Sequence, residues 1–196
     1  MTEVFLKGEF SEYKKENLTE ARQAIYESYS RLPPGMLGLM VERTTVFISH
    51  KHDDLDDLKG IIGFLEKNYN VSCYIDSRDK SMPQITSAET ATKIKSRIKK
   101  CDKFILLASN GAINSKWCNW ELGYGDAQKF KDNIALFSFR QSDEAYEGQE
   151  YLNIYPHIVR IERPLLVSNE YISPGYYVRE TIKSNTYMPL RQWLMR

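Results

Sequence analysis

Cysteine is scarce in this chain of 196 residues: Cys73, Cys101 and Cys118 are the whole supply. Their number is odd, their spacing wide, and no CxxC pair occurs, so neither a zinc site nor a thioredoxin-type redox pair is supported. Unbridged thiols suit a reducing compartment. An excess of charge of one sign is missing too. The 27 Lys and Arg stand against 26 Asp and Glu, a formal net charge of +1. That is not the basic footprint of a DNA-binding domain, although two or three basic side chains suffice to hold a small anion. No window approaches 18 uninterrupted apolar residues, so no membrane span is expected. The opening stretch, MTEVFLKGEF, lacks the long apolar core of a signal peptide, and cytoplasmic residence is the expectation. Neither GxGxxG nor a P-loop is present, which leaves a Rossmann-type redox cofactor unsupported. Internal repeats and low-complexity segments are absent.

What is present suits one globular domain with room for a small appendage: 42% of residues are hydrophobic and 27% charged. A chain this long buries most of its unfolded surface and needs no disulfide or metal staple. Residues 1–16 are polar and mixed, without a clear period. NLTEARQAIYESYSRL, 17–32, carries a modest apolar stripe (Ala21, Ala24, Ile25, Tyr29) and reads as a helix, ended by the PPG at 33–35. Residues 1–40 are therefore expected to form an N-terminal extension with one helix, packed on the main domain or poised for a partner. The main domain is expected over 41–196.

That domain opens with RTTVFISH, 43–50, a β-branched and aromatic run typical of a buried strand. Leu55, Leu58, Ile61, Ile62, Leu65 and Tyr69 then keep a helical period, with early aspartates suited to the positive helix start. VSCYIDS, 71–77, reads as a second strand and RDKSMPQI, 78–85, as a loop. A capping box, Thr86 to Glu89, opens a third helix striped by Ala91, Ile94, Ile98 and Cys101. KFILLASN, 103–110, is a third strand and 116–130 a further helix. NIALFSF, 133–139, is a fourth strand, 141–150 an acidic loop, and HIVRIE, 157–162, a fifth strand. Residues 176–196 read as helical, broken at Pro189. Strands alternating with helices in this way predict an α/β fold: a flavodoxin-like five-stranded parallel sheet with helices on both faces.

In such sheets ligands bind beyond the carboxyl ends of the strands, at the switch in strand order. For the order 2-1-3-4-5 the switch lies between the first and third strands. Ser49, His50 and Lys51 follow the first; Ser109, Asn110 and Gly111 follow the third and lead into KWCNWELGYGDAQKF, 116–130. On that helix Trp117, Trp120, Glu121 and Tyr124 are the i, i+3, i+4, i+7 set expected to pack inward. A carboxylate among large aromatics is costly unless something pairs with it. Glu121 is then either a group that does chemistry or a rim charge reaching past its neighbours.

In order and at these spacings, TVFISHKHDD, YIDSRDKSMP, KFILLAS and SKWCNWELGYG resemble a Toll/interleukin-1 receptor (TIR) domain of the bacterial kind, over roughly 43–195. The loop after the second strand departs from the usual pattern, since Pro83 is followed by Gln84 and not by glycine. Enzymatic TIR domains cleave NAD⁺ at the nicotinamide–ribose bond with a glutamate in a W-x-x-x-E pattern, here Trp117 to Glu121. The resemblance thus implies an NAD⁺ glycohydrolase or ADP-ribosyl cyclase in antiviral defence. Glu121 would be the catalytic carboxylate and Trp117 a stacking wall. It further implies that NAD⁺ is the substrate with no resident cofactor, that the domain self-associates, and that a separate sensor or effector protein works with it.

Other residues give weaker signals. Ser49, His50 and Lys51 suit the pyrophosphate or ribose, or they form a plain solvated loop. Arg78 and Lys80 suit a phosphate or a neighbouring subunit. His50-x-His52 beside Asp53 and Asp54 suggests a metal only weakly, because those aspartates already serve as helix-start residues. Cys118 has no paired histidine to make it a nucleophile. Two other readings stand beside the enzyme. One is a non-catalytic TIR–TIR interaction module, which has no need of W-x-x-x-E. The other is a nucleoside deoxyribosyltransferase-like enzyme, against which the FISH strand and the loop at 78–85 argue.

Overall fold

The computed structural model describes residues 1–14, 43–75, 88–129, 131–148, 150–168, 170–181 and 184–196. The expected helix over 17–32 and the loop at 78–85, with Arg78 and Lys80, lie outside these residues, as does Thr86 of the expected capping box. All five expected strands are present. In chain order they are β2 (Thr45–Ser49), β3 (Ser72–Tyr74), β4 (Lys103–Ala108), β5 (Ile134–Arg140) and β6 (His157–Ile161), following a short β1 (Phe5–Leu6). They pair in parallel in the spatial order β3-β2-β4-β5-β6. This is the 2-1-3-4-5 arrangement, and it sets the switch between β2 and β4.

Side chains alternate across this sheet because successive residues of a strand face opposite ways. Val46, Ile48, Ile105, Leu107 and Phe137 enter one buried cluster; Phe47, Phe104, Leu106, Ile134 and Leu136 enter the other. Helix α1 (Leu55–Tyr69) covers the first face through Leu58, Ile61, Ile62 and Leu65. Helices α2 (Ala88–Lys100), α3 (Asn110–Ile113) and α4 (Lys116–Lys129) contribute Ile94, Ile98, Ala112, Cys118 and Leu122 to the second. Strands this completely sandwiched read as unbroken apolar runs, which is why the sequence marks them so clearly.

The C-terminal region differs from the expected helix over 176–196. After a separate hairpin, β7 (Leu165–Val167) with β8 (Glu170–Ile172), come β9 (Gly175–Arg179) and β10 (Tyr187–Pro189). Strand β9 runs antiparallel to β6, and β10 antiparallel to β9. Among the described residues of this region, Leu190–Met195 is the α-helical stretch, α5. The run Tyr176–Tyr177–Val178 is aromatic and β-branched and fits a pleated surface better than a helix. Pro189 cannot donate to a helical ladder and stands at the start of α5 instead of inside a longer helix.

The N-terminal residues, aperiodic in sequence, pack into the core. Strand β1 pairs with the end of β5, Phe5 opposite Phe139, while Thr2 bridges Arg160 of β6. Phe5 is 1% and Phe10 5% exposed. They meet Phe137 and Phe64 with ring centroids 4.8 to 5.4 Å apart. The segment crosses α1 at Gly60 and Gly63. A methyl group there would stand 2.5 Å from the carbonyl oxygen of Phe10 and 1.9 Å from that of Tyr13. Glycine at both positions is what lets the backbone of 10–13 lie directly on the helix.

Candidate active site

Ser49 is the last residue of β2, and the strand's alternation turns its side chain to the face shared with Phe47. Helix α4 lies on that face. Its buried residues are Cys118, Glu121, Leu122 and Gly125, an i, i+3, i+4, i+7 set. Of the expected inward set only Glu121 is fully buried; Trp117, Trp120 and Tyr124 pack against the edge of the core cluster. Those three are half-buried and stack along the flank of the helix, with centroids 4.8 Å and 6.1 Å apart. Lys95 of α2 lies over Trp120 and Tyr124 at 5.7 and 5.4 Å. Large flat rings at i, i+3 and i+7 stabilise one another on a helix flank without entering the core, whereas small Cys118 and Gly125 let the helix approach the sheet.

Glu121 is 1% exposed, so it is not a rim charge. Ser49 Oγ donates to Glu121 Oε2 at 2.5 Å, a short hydrogen bond. That bond offsets part of the cost of burying a carboxyl group away from water. Ser49, itself 1% exposed, and Glu121 thus meet at the carboxyl end of β2, beside the switch, with Trp117 one helical turn before the carboxylate.

His50 is buried at 7% exposure, its Nδ1 3.4 Å from the carbonyl oxygen of Ile48. Lys51 turns elsewhere: its ammonium pairs with Asp53 at 2.9 Å and its stem lies over Gly111. The hydrogen bond and charge of Asp53 raise the pKa of Lys51, and Lys51 lowers that of Asp53. Arg78 is outside the described residues. Of the residues expected at the site, the structure therefore brings Ser49 to Glu121, sets Trp117 a turn away, and engages Lys51 with a second cluster. Among the described residues, no group of three or more His, Cys, Asp or Glu side chains converges as a metal site would.

That second cluster escaped the sequence reading. Asp54, 2% exposed, accepts from Ser109 Oγ at 2.5 Å and from Lys7 Nζ at 2.9 Å. Ser109 in turn accepts from the amide of Ala112 at 3.0 Å and caps α3. Burial disfavours the Lys7 ammonium, but the hydrogen bond and charge of Asp54, with Asp57 and Glu144, outweigh it and raise its pKa. Asp54 precedes α1 yet makes no side-chain cap bond to it. It ties the loops after β2 and β4 to the N-terminal segment. A helix-start aspartate and a cap serine are each legible in sequence; a partner at Lys7, 47 positions from Asp54, is not. Together with Lys51, Gly111 and Arg140, this cluster lines a small pocket of about 220 Å³ at the carboxyl edge of the sheet.

Comparison with known proteins adds three findings. A family model described as TIR domain matches residues 46–158. A protein of Bacillus cereus (strain MSX-D12) named "Probable 3' cyclic ADP-D-ribose synthase ThsB'" is 32% identical over 117 residues, 59% of this chain and 60% of that protein. The similarity thus spans less than two thirds of the relative's length. Among solved structures, a prokaryotic SEFIR domain overlays with a TM-score of 0.40 at 13% identity, covering 56% of this chain and 76% of that one.

Proposed function

Because the chain belongs to the TIR domain family, we propose that it cleaves NAD⁺ at the nicotinamide–ribose bond, with Glu121 as the catalytic carboxylate. The observation that carries this reading is the buried Ser49–Glu121 pair at the carboxyl edge of the sheet. Nicotinamide leaves a cationic ring as a neutral molecule. It takes the electron pair of the glycosidic bond, so no general acid is needed. The sugar left behind is oxocarbenium-like, as in glycoside cleavage. A carboxylate hydrogen-bonded to the ribose hydroxyls stabilises that growing charge, more strongly in a dry pocket than in water. Ser49 holds one carboxylate oxygen in place, and Trp117 supplies a flat wall for the ribose or a base.

The ribosyl cation is captured by water, giving ADP-ribose and a proton, or by a hydroxyl of the same molecule, giving a cyclic isomer and a proton. The name of the 32% identical relative favours the cyclic product. In this reading the protein makes a nucleotide signal in antiviral defence, assembles with copies of itself, and works with a separate effector.

The test is NAD⁺ consumption by the concentrated purified protein beside Glu121→Ala, with products separated by chromatography. The expected outcome is consumption by the wild type alone and a cyclic ADP-ribose isomer in the product fraction. Linear ADP-ribose would keep the enzyme and replace the cyclase by a hydrolase. No consumption by either protein would favour the interaction module. Equal consumption by both would remove Glu121 from its role.

A further inference from the structure

The amino edge of the sheet, opposite the Ser49–Glu121 pair, holds a depression of about 600 Å³. Among the described residues its lining includes Arg43, Lys99, Lys100, Lys103, Lys129 and Arg196, with Asp102 as the acidic side chain among them. That carboxylate is already engaged: its Oδ2 accepts from the amide and the hydroxyl of Thr45, both at 2.8 Å. Among the described residues, six basic side chains line the depression beside one engaged side-chain carboxylate, in a chain whose overall charge is only +1, so the concentration is local.

Its cause is topological. Arg43 precedes β2, Asp102 precedes and Lys103 begins β4, Lys99 and Lys100 end α2, and Lys129 ends α4. A parallel α/β fold brings strand starts and helix ends to one edge. Lysines at helix ends are favoured by the helix dipole, and Lys129 reaches from the end of α4 to the end of α2, donating to the carbonyl of Lys99 at 3.0 Å and to that of Cys101. Dipole complementarity does not account for Lys103, which sits at a strand start, is 2% exposed and donates to Asn133 Oδ1 at 2.5 Å. Nor does it account for Arg43 and Arg196, exposed at the rim. Burial lowers the pKa of both Lys103 and Lys129; the charge of Asp102 offsets this in part for each, and Arg196 lowers that of Lys103 further. A bound anion would relieve that penalty.

We propose that this depression binds a small polyphosphate, with phosphate oxygens on the lysines and arginines. Its volume is that of a nucleotide-sized site. Met195, 71% exposed, and Leu194 supply an apolar wall for a base. Strands of five to six residues separate it from Glu121 by roughly 20 Å, so the two sites are independent.

The experiment is isothermal titration of the full chain at low salt with inorganic tripolyphosphate and, separately, with ATP. Charge reversal uses exposed residues, Arg43→Glu with Lys100→Glu, to leave the buried lysines and the core intact; Lys99→Gln with Arg196→Gln is the milder second pair. Circular dichroism checks that each variant is folded. Glu121→Gln is the control for the opposite edge. The expected result is one equivalent of tripolyphosphate bound, at least tenfold weaker in the charge-reversal pair, several-fold weaker in the milder pair and unchanged in Glu121→Gln. Equal affinity for ATP and tripolyphosphate identifies phosphate as the recognised group; tighter ATP adds the base. Absence of binding, binding indifferent to the rim charges, or binding lost in Glu121→Gln would each overturn the proposal, and none depends on NAD⁺ cleavage.

Discussion

At the scale of single residues, Ser49 and Glu121 form the smallest unit with a testable energy. Ser49→Ala removes the 2.5 Å hydrogen bond but keeps the carboxylate. An interaction of about 1.5–3 kcal/mol that orients the charge corresponds to roughly a 10–100-fold fall in NAD⁺ turnover. A Ser49→Ala protein with wild-type turnover would show that the pair is structural only. His157 offers a pH test. It is 6% exposed on β6, and burial pushes its pKa down to about 4 despite a hydrogen bond to the backbone of Leu152; the charge of Arg179 lowers it further. The unfolded chain binds this proton near pH 6.5 and the folded one near pH 4, so the unfolded state holds more protons in between. Stability present above pH 6.5 is therefore lost as pH falls toward 4, by about 3 kcal/mol at most. Urea unfolding across that window should show the loss, and His157→Gln should flatten it; an unchanged slope in the variant would assign the acid sensitivity elsewhere.

At the scale of elements, the contact between the N-terminal segment and α1 decides more than helix propensity does. Alanine exceeds glycine in helices by about 1 kcal/mol, so propensity alone predicts that Gly63→Ala stabilises. The carbonyl of Tyr13 occupies the space the methyl needs. Backbone cannot yield as a side-chain tip does, and the substitution is expected to cost about 2 kcal/mol net or more. It should also loosen residues 1–14, seen as faster proteolysis near the N-terminus. A rise in melting temperature would sink this account. The same scale explains why the region 176–196 holds strands β9 and β10 where a helix is expected. Helical period and strand alternation are hard to separate in short aromatic runs, and the docking of β9 on β6 resolves them.

At the scale of the whole molecule, two buried thiols report on global opening. Cys101 and Cys118 are each 1% exposed, and burial pushes the Cys101 thiol up to about 12. The thiolate is the reactive form. Neither should be alkylated in the native protein at pH 8, while half-buried Cys73 reacts slowly. Mass spectrometry of iodoacetamide-treated protein, native and in urea, should find Cys101 and Cys118 modified only after unfolding. Native-state labelling of Cys101 would mean that α2 and β4 separate without global unfolding.

The sequence by itself determined the parallel strands and the helices between them; their spatial order was only the commonest one for five strands until the tertiary structure set it. Buried strands are continuous apolar runs, helices between them keep a 3.6-residue period, and crossover rules leave few arrangements. It also singled out Glu121, among aromatics and in the W-x-x-x-E pattern, and offered Ser49 beside His50 and Lys51 as a weaker candidate at the end of the first strand. The tertiary structure alone decided which face of α4 is inside. Three stacked rings and a Cys–Glu–Leu–Gly stripe are both plausible core faces, and the choice rests on how closely the helix can approach the sheet. Only the fold joined Lys7 to Asp54 and Ser109, and only the fold gathered the cations of the amino edge. Both depend on contacts between residues far apart in the chain, and local propensity carries no record of them.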